Sequence, residues 1–339
     1  MFASGLTTLA VIIVVVLLFG LWAYVSPGPA ARQGAATTVI LRHGARLPEI
    51  AATLEQQGVV RSGSLFMAAA QVTGAARALK AGEYAVPSNA SMSEVMEMIR
   101  LGRIVRHLVT VPEGLTSDQA VAILMSSDVL SGSAPVPPEG AILPESYQVE
   151  RGTDRGVVLQ RMMAARDRAI AELWPHRQAG LPFKTPEEAI TLASIVEKET
   201  ALPDERPRIA AVFINRLRKG VPLASDPTII YGLTRGQPLG HGIRQSELAS
   251  TTPYNTYHFA GLPPTPICNP GRASIAAVLD PAKTSDLYFV ANGTGGHSFA
   301  ATFEEHEKNV ARWRQIERDH AQAVPRAAMA TGGEVGHGG

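Results

Sequence analysis

Cysteine is nearly absent from this 339-residue chain, with Cys268 the only one. That excludes an internal disulfide framework and any multi-cysteine metal site, and leaves the redox compartment undecided. Charge of one sign is scarce too. Lys and Arg number 31 against 30 Asp and Glu, a net of +1, and no long run of either sign occurs. Such a balance gives no reason to expect a nucleic-acid groove or nucleic-acid partner. Finally, no Lys, Arg, Asp or Glu precedes Arg32.

That last absence points to a membrane. Leu6 to Val25 is almost continuously apolar, and about 20 such residues span a bilayer core. Trp22 and Tyr24 fall near one end, where interfacial aromatic belts lie. A cleaved signal peptide would have a shorter core, a basic start and a small-x-small site directly after it. Residues 1–26 are therefore expected to be a retained single-pass transmembrane anchor. The short tail before the run carries no basic side chain, so charge bias leaves its orientation open.

Beyond the anchor the expected class is α+β. Residues 27–36 are rich in Pro and Gly and read as a linker. Residues 37–103 alternate strand, helix, helix, strand and helix, a small α+β module without a metal-type cluster or a Gly-rich phosphate loop. Its expected job is binding or spacing. Residues 104–140 read as a connecting subdomain that ends in a Pro/Gly/Ser-rich stretch. Residues 141–323 form the expected larger, mixed α/β domain with long loops. The Pro/Gly/Ala-rich tail 324–339 is expected to be disordered.

The larger domain turns on Thr185-Pro-Glu-Glu-Ala-Ile-Thr-Leu-Ala-Ser-Ile-Val-Glu-Lys-Glu-Thr200. Thr185 can cap a helix, Pro186 suits its first position and Glu188 completes a capping box. Ala189, Leu192, Ala193 and Val196 recur at helical spacing, which predicts one buried face. Two carboxylates follow, Glu197 and Glu199, about 200° apart around the axis, so they cannot face one pocket. Glu199 lies near the apolar stripe, and Glu197 is expected on the wetter flank. A carboxyl beside apolar side chains resists ionising and can serve as a general acid near neutral pH. A solvated Glu-Lys-Glu helix end is the plainer alternative on this stretch alone. In the next helix, about Asp204 to Lys219, Asn215 and Arg216 sit amid apolar neighbours, where buried polar groups need partners.

From Val221 to Pro270 the chain reads as loops dense in turn formers. So long an irregular stretch is unusual unless it lines a groove. Tyr231, Tyr254, Asn255 and Tyr257 supply flat faces, hydroxyls and amides suited to a sugar, although such groups also pin irregular loops. Asp286 to Phe299 reads as a hairpin that carries His297.

Taken together, Leu192-Ala-Ser-Ile-Val-Glu-Lys-Glu-Thr200, Phe213-Ile-Asn-Arg-Leu217, Ser225-Asp-Pro-Thr-Ile-Ile-Tyr-Gly232, Pro253-Tyr-Asn-Thr-Tyr257, Gly261-Leu-Pro-Pro264 and the hairpin resemble the YceG-like family of endolytic murein transglycosylases. The resemblance runs from about Val39 to the last helix. It implies an inner-membrane enzyme facing the periplasm and cell wall. Such an enzyme cuts peptidoglycan glycan strands between N-acetylmuramic acid and N-acetylglucosamine, without water, leaving 1,6-anhydromuramic ends. It also implies that residues 37–103 are a LysM-like module, that Glu199 is the catalytic glutamate, and that no cofactor is needed. Work beside the machinery that polymerises new strands is a further expectation. Ile142-Leu-Pro-Glu-Ser-Tyr147 and the loop Thr234 to Ile243 depart from the family pattern, and Glu145 is given no catalytic work.

Under this reading Asp226, Tyr231, Tyr254, Asn255, Tyr257 and His297 address the sugar, while Glu197, Asn215 and Arg216 support the site. A two-carboxylate hydrolase with Asp226 as second acid and a non-catalytic wall-binding scaffold are the competing functions. His241, His258, His297 and His306 lack the spacing of well-marked zinc motifs, so no metal is expected.

Overall fold

The computed structural model describes residues 2–330, with side chains from 7 to 319. The chain separates into two compact units. The first comprises residues up to 109 with 128–131 and 148–154; the second comprises 110–127, 132–147 and 155 onward. The connecting stretch expected over 104–140 is thus divided between them.

The first unit opens with the helix Phe2–Val25, whose 24 residues give about 36 Å of length, enough to cross a bilayer core. Its described side chains from Leu9 to Val25 are largely exposed, while Tyr24 near its end packs against the core of this unit. Strands Ala36–Leu41 and Gly82–Pro87 pair antiparallel, with Val39 opposite Tyr84. Helices Leu47–Gln56, Gly63–Val72 and Met92–Leu101 complete the unit. Leu54, Phe66, Tyr84, Val95 and Ile99 are fully buried at its centre. A second pair, Leu130–Ser131 with Thr153–Asp154, is parallel and too short for any sequence pattern to reveal.

The second unit is built around the helix Pro186–Glu199. Thr185 Oγ1 accepts the Glu188 N–H, and Glu188 accepts the Thr185 N–H, so the expected capping box is formed. Burial, however, is not confined to one face. Every residue from Ala189 to Val196 is buried, because helices Arg206–Lys219 and Arg272–Leu279 pack on it and the loop 267–271 covers a further side. Several polar residues inside this packing tie it together. Ser194 Oγ donates to the Thr191 carbonyl and accepts the Ile267 N–H, and the Ser194 carbonyl accepts the Cys268 thiol. Asn269 Oδ1 accepts the Ile142 N–H, and its amide donates to the Leu115 carbonyl.

Helices Ser117–Ser126 and Arg155–Leu173 flank this core, and Phe303–Ala330 closes the chain. The closing helix passes 323, where the tail was expected to begin; residues 331–339 lie outside the described ones. The loop-like stretch after Val221 also holds more order than its composition suggests. Asp226–Thr234 is a helix with Pro227 in its first turn, where a missing N–H costs nothing. Strands Tyr288–Ala291 and His297–Ala300 form the expected hairpin.

Phe213 is fully buried and meets Phe289 edge-on at 5.8 Å between ring centres, joining the helix Arg206–Lys219 to this hairpin. Phe213→Ala should destabilise the second unit by about 3–5 kcal/mol, read as a lower denaturant midpoint by fluorescence.

Candidate active site

Glu199 is the last residue of the central helix, and Thr200 beyond it is already extended. The carboxyl therefore emerges where the packing ends and where helix carbonyls add partial negative charge, which disfavours a carboxylate. Its Oε1 accepts the Ser225 hydroxyl at 2.5 Å. Ser225 is 1 % exposed and locked in place. Its N–H donates to Thr256 Oγ1 at 3.1 Å, and its carbonyl accepts Thr228 Oγ1 at 2.6 Å. Thr228 and Thr256 hydroxyls lie 2.9 Å apart, which welds the helix Asp226–Thr234 to the 252–257 loop.

Burial pushes Glu199 up to about 7. The Ser225 hydrogen bond opposes this, the Asp226 charge adds to it, and His297 and Arg216 pull back. At neutral pH the group is thus poised between acid and carboxylate, as proton transfer in both directions requires.

Asp226 is exposed beside Ser225 and accepts the Tyr257 hydroxyl at 2.7 Å. Burial and this hydrogen bond raise the Tyr257 phenol, which stays a donor. Tyr257 is itself partly exposed, so Asp226 and Tyr257 share the surface next to the buried Ser225 and the Glu199 carboxyl. His297 is half-buried on the hairpin, with Nδ1 2.6 Å from Glu205 Oε2.

Other expected sugar contacts face inward. Asn255 is fully buried, its amide donating to the Leu248 and Ser250 carbonyls and its oxygen accepting the Tyr257 N–H. With every polar atom spent, it shapes the loop and has nothing left for substrate. Tyr254 and Tyr231 are also buried, packed at 4.9 Å with Arg235 over both rings. The Tyr254 hydroxyl is 2.8 Å from Thr265 Oγ1, and burial followed by the Glu139 charge pushes Tyr231 up to about 12. This pair is an internal brace.

Asn215 donates to the carbonyls of Thr284 and Asp286. Arg216 donates to those of Leu287 and Leu223. Both hold backbone around the site. Glu197 does not face water as expected. Its side chain is 6 % exposed, accepting the Gly271 N–H at 2.9 Å and lying 3.7 Å from Arg206. The loop 267–271 folds over that flank of the helix, and Gly271 lies against the Glu113 carboxyl.

The four histidines considered for a metal have separate surroundings: His241 at the Gly242 carbonyl, His258 at that of Leu248, His297 at Glu205, and His306 stacked on Tyr288. Among the described residues no group of three or more His, Cys, Asp or Glu is arranged to hold an ion. A hollow lined by Tyr24, Asn89, Glu94 and Arg100 belongs to the first unit and includes none of the residues around Glu199.

The YceG-like family profile matches residues 39–312. The chain belongs to the YceG-like family. The endolytic murein transglycosylase of Streptococcus pneumoniae is 29% identical over 323 residues, covering 81% of this chain and 58% of that protein. That of Bacillus subtilis is 32% identical over 184 residues, 54% of this chain and 50% of the relative. A crystal structure of a yceG-like protein from Listeria monocytogenes is similar at a TM-score of 0.50 and 29% identity, covering 80% of this chain and 97% of that one. The chain therefore spans about half the length of the curated relatives it matches.

Ser225 is the residue that sequence reasoning missed, although it stands directly before Asp226 in a family stretch. Ser225→Ala should raise the Glu199 titration point and Asp226→Asn should lower it, both read by carbon NMR of labelled glutamate. Glu199 also ties stability to pH. Its folded value exceeds the ordinary 4.5, so the folded chain binds the extra proton between the two. The stabilisation is complete below about 4.5 and is lost as pH rises through about 7. Glu199→Gln should flatten that fall in denaturant midpoint.

Proposed function

We propose that this chain is a lytic transglycosylase that cuts peptidoglycan glycan strands internally, as the names of its relatives describe for them. The observation that carries the reading is a single carboxyl, Glu199, with a value near neutrality, braced by Ser225 and bordered by exposed Asp226 and Tyr257.

One group with that value can serve twice. As an acid, Glu199 gives its proton to the oxygen between muramic acid C1 and the neighbouring glucosamine, and the C1–O bond breaks. The muramyl ring takes up positive charge, which the new carboxylate faces. The ring's own 6-hydroxyl then closes on C1 and returns its proton to Glu199. No water enters and the enzyme is restored. The nucleophile is tethered to its target, which removes the entropy cost of bringing in a second molecule. Asp226, held by the Tyr257 hydroxyl, orients the sugar in this account. In the competing hydrolase account it would activate water.

The apolar helix Phe2–Val25 would anchor the enzyme in the inner membrane with the second unit toward the cell wall, where its substrate lies. The small module, LysM-like by family resemblance, would contact glycan, and the enzyme would work beside strand synthesis.

On purified glycan strands Glu199→Gln should reduce kcat about a hundred- to ten-thousand-fold with its fold intact. In wild type kcat/KM should fall as pH rises through about 7, because the protonated form starts the reaction. Undiminished turnover by Glu199→Gln would remove the catalytic assignment. Glu197→Gln, by contrast, should act through stability and leave the pH profile in place.

A further inference from the structure

Glu205 has no part in the chemistry above, yet it is the most heavily engaged carboxylate near it. It ends the short turn Pro203–Glu205, just past the central helix. Oε1 accepts the His297 backbone N–H at 2.7 Å, and Oε2 lies 2.6 Å from His297 Nδ1. Thr200 Oγ1, on the residue next to Glu199, donates to Oε2 at 3.3 Å and itself accepts the Leu202 N–H. The hairpin approaches so closely that a Cβ on Gly296 would come within 2.6 Å of Glu205 Oε1. Phe289 packs edge-on against the imidazole at 5.3 Å and limits its rotation.

Burial pushes Glu205 up, but the side-chain and backbone hydrogen bonds from His297 outweigh it and hold the group below the usual carboxylate range. An ionised Glu205 only accepts, so Nδ1 must carry hydrogen. Among the described residues Nε2 has no hydrogen-bond partner. The ring is also within electrostatic reach of Glu199.

We propose that Glu205 is a positioning residue: gripping His297 at two points and Thr200 at a third, it holds the imidazole with Nδ1–H inward and Nε2 without a partner among the described residues, the ring within electrostatic reach of Glu199. His297 Nε2 then meets the sugar undergoing cleavage, and the ring supports the Glu199 carboxylate left after proton donation. The inference rests on the transglycosylase reading. The titratable groups facing Glu199 from the elements around it are Asp226 at the start of the helix Asp226–Thr234, Tyr257 from the 252–257 loop, Arg216 from the helix Arg206–Lys219 and His297 from the hairpin.

The test uses the full chain in detergent with purified glycan strands, comparing wild type, Glu205→Gln, His297→Gln and the double variant across pH. Glu205→Gln should lower kcat about tenfold or more with KM within about twofold. It should also move the alkaline limb upward, since the carboxylate loses support. The double variant should match His297→Gln alone, because Glu205 acts only through that ring. Nitrogen NMR of labelled histidine, independent of activity, should show the fixed Nδ1–H form of His297 in wild type and its loss in Glu205→Gln. Additive losses, an unmoved limb or an unchanged histidine spectrum overturn the positioning role while the cleavage reading stands. A wild type that yields no anhydro ends overturns the reading itself, and the role with it.

Discussion

A contest between burial and one hydroxyl sets where the Glu199 carboxyl holds or releases its proton. Low-dielectric surroundings favour the neutral Glu199 carboxyl, and Ser225 Oγ at 2.5 Å favours the charged one. Burial alone would keep the proton on the carboxyl too firmly to release it, and full solvation would leave no proton to give. In the proposed reaction, the balance near 7 would let the same oxygen atoms donate and then retrieve a proton. It depends on Ser225 being immobile, and Thr228 and Thr256 supply that by using its N–H and carbonyl.

The remainder of the second unit holds this pair in register. A helix enclosed from Ala189 to Val196 cannot slide or roll, so its terminal residue is aimed by the whole core. Ser194 and Glu197 reach from that helix to the backbone of the 267–271 loop, while Asn215 and Arg216 fasten the 284–287 segment from the neighbouring helix. Polar residues that look like surface chemistry in a linear reading are here mostly ties between the helix bundle and its loops. Few exposed groups remain beside Glu199, chief among them Asp226 and Tyr257.

Helix ends were legible because capping is local. Thr185, Pro186 and Glu188 announce the central helix within four residues, and helical spacing was enough to separate Glu199 from Glu197. What lies across space was not legible. The Ser225 contact joins positions 26 apart, and Glu205 reaches His297 across 92, distances that no periodicity encodes. Asn255, Tyr254 and Tyr231 look sugar-facing in the sequence because loop composition names available groups without saying which side they face. Glu197 misled for the opposite reason: its flank looks wet on a helical wheel until a distant loop covers it. Pro227 and Gly232 disguised the helix Asp226–Thr234, since a proline that starts a helix and one that breaks it are the same letter.

The central claim is that one carboxyl completes the reaction with the sugar's own hydroxyl. Digestion of purified glycan strands in heavy-oxygen water, followed by mass analysis of the new ends, tests it directly. The account predicts muramic ends lighter by one water than the hydrolytic product, with no heavy oxygen incorporated. Reducing ends carrying heavy oxygen would contradict it and would identify the enzyme as a hydrolase.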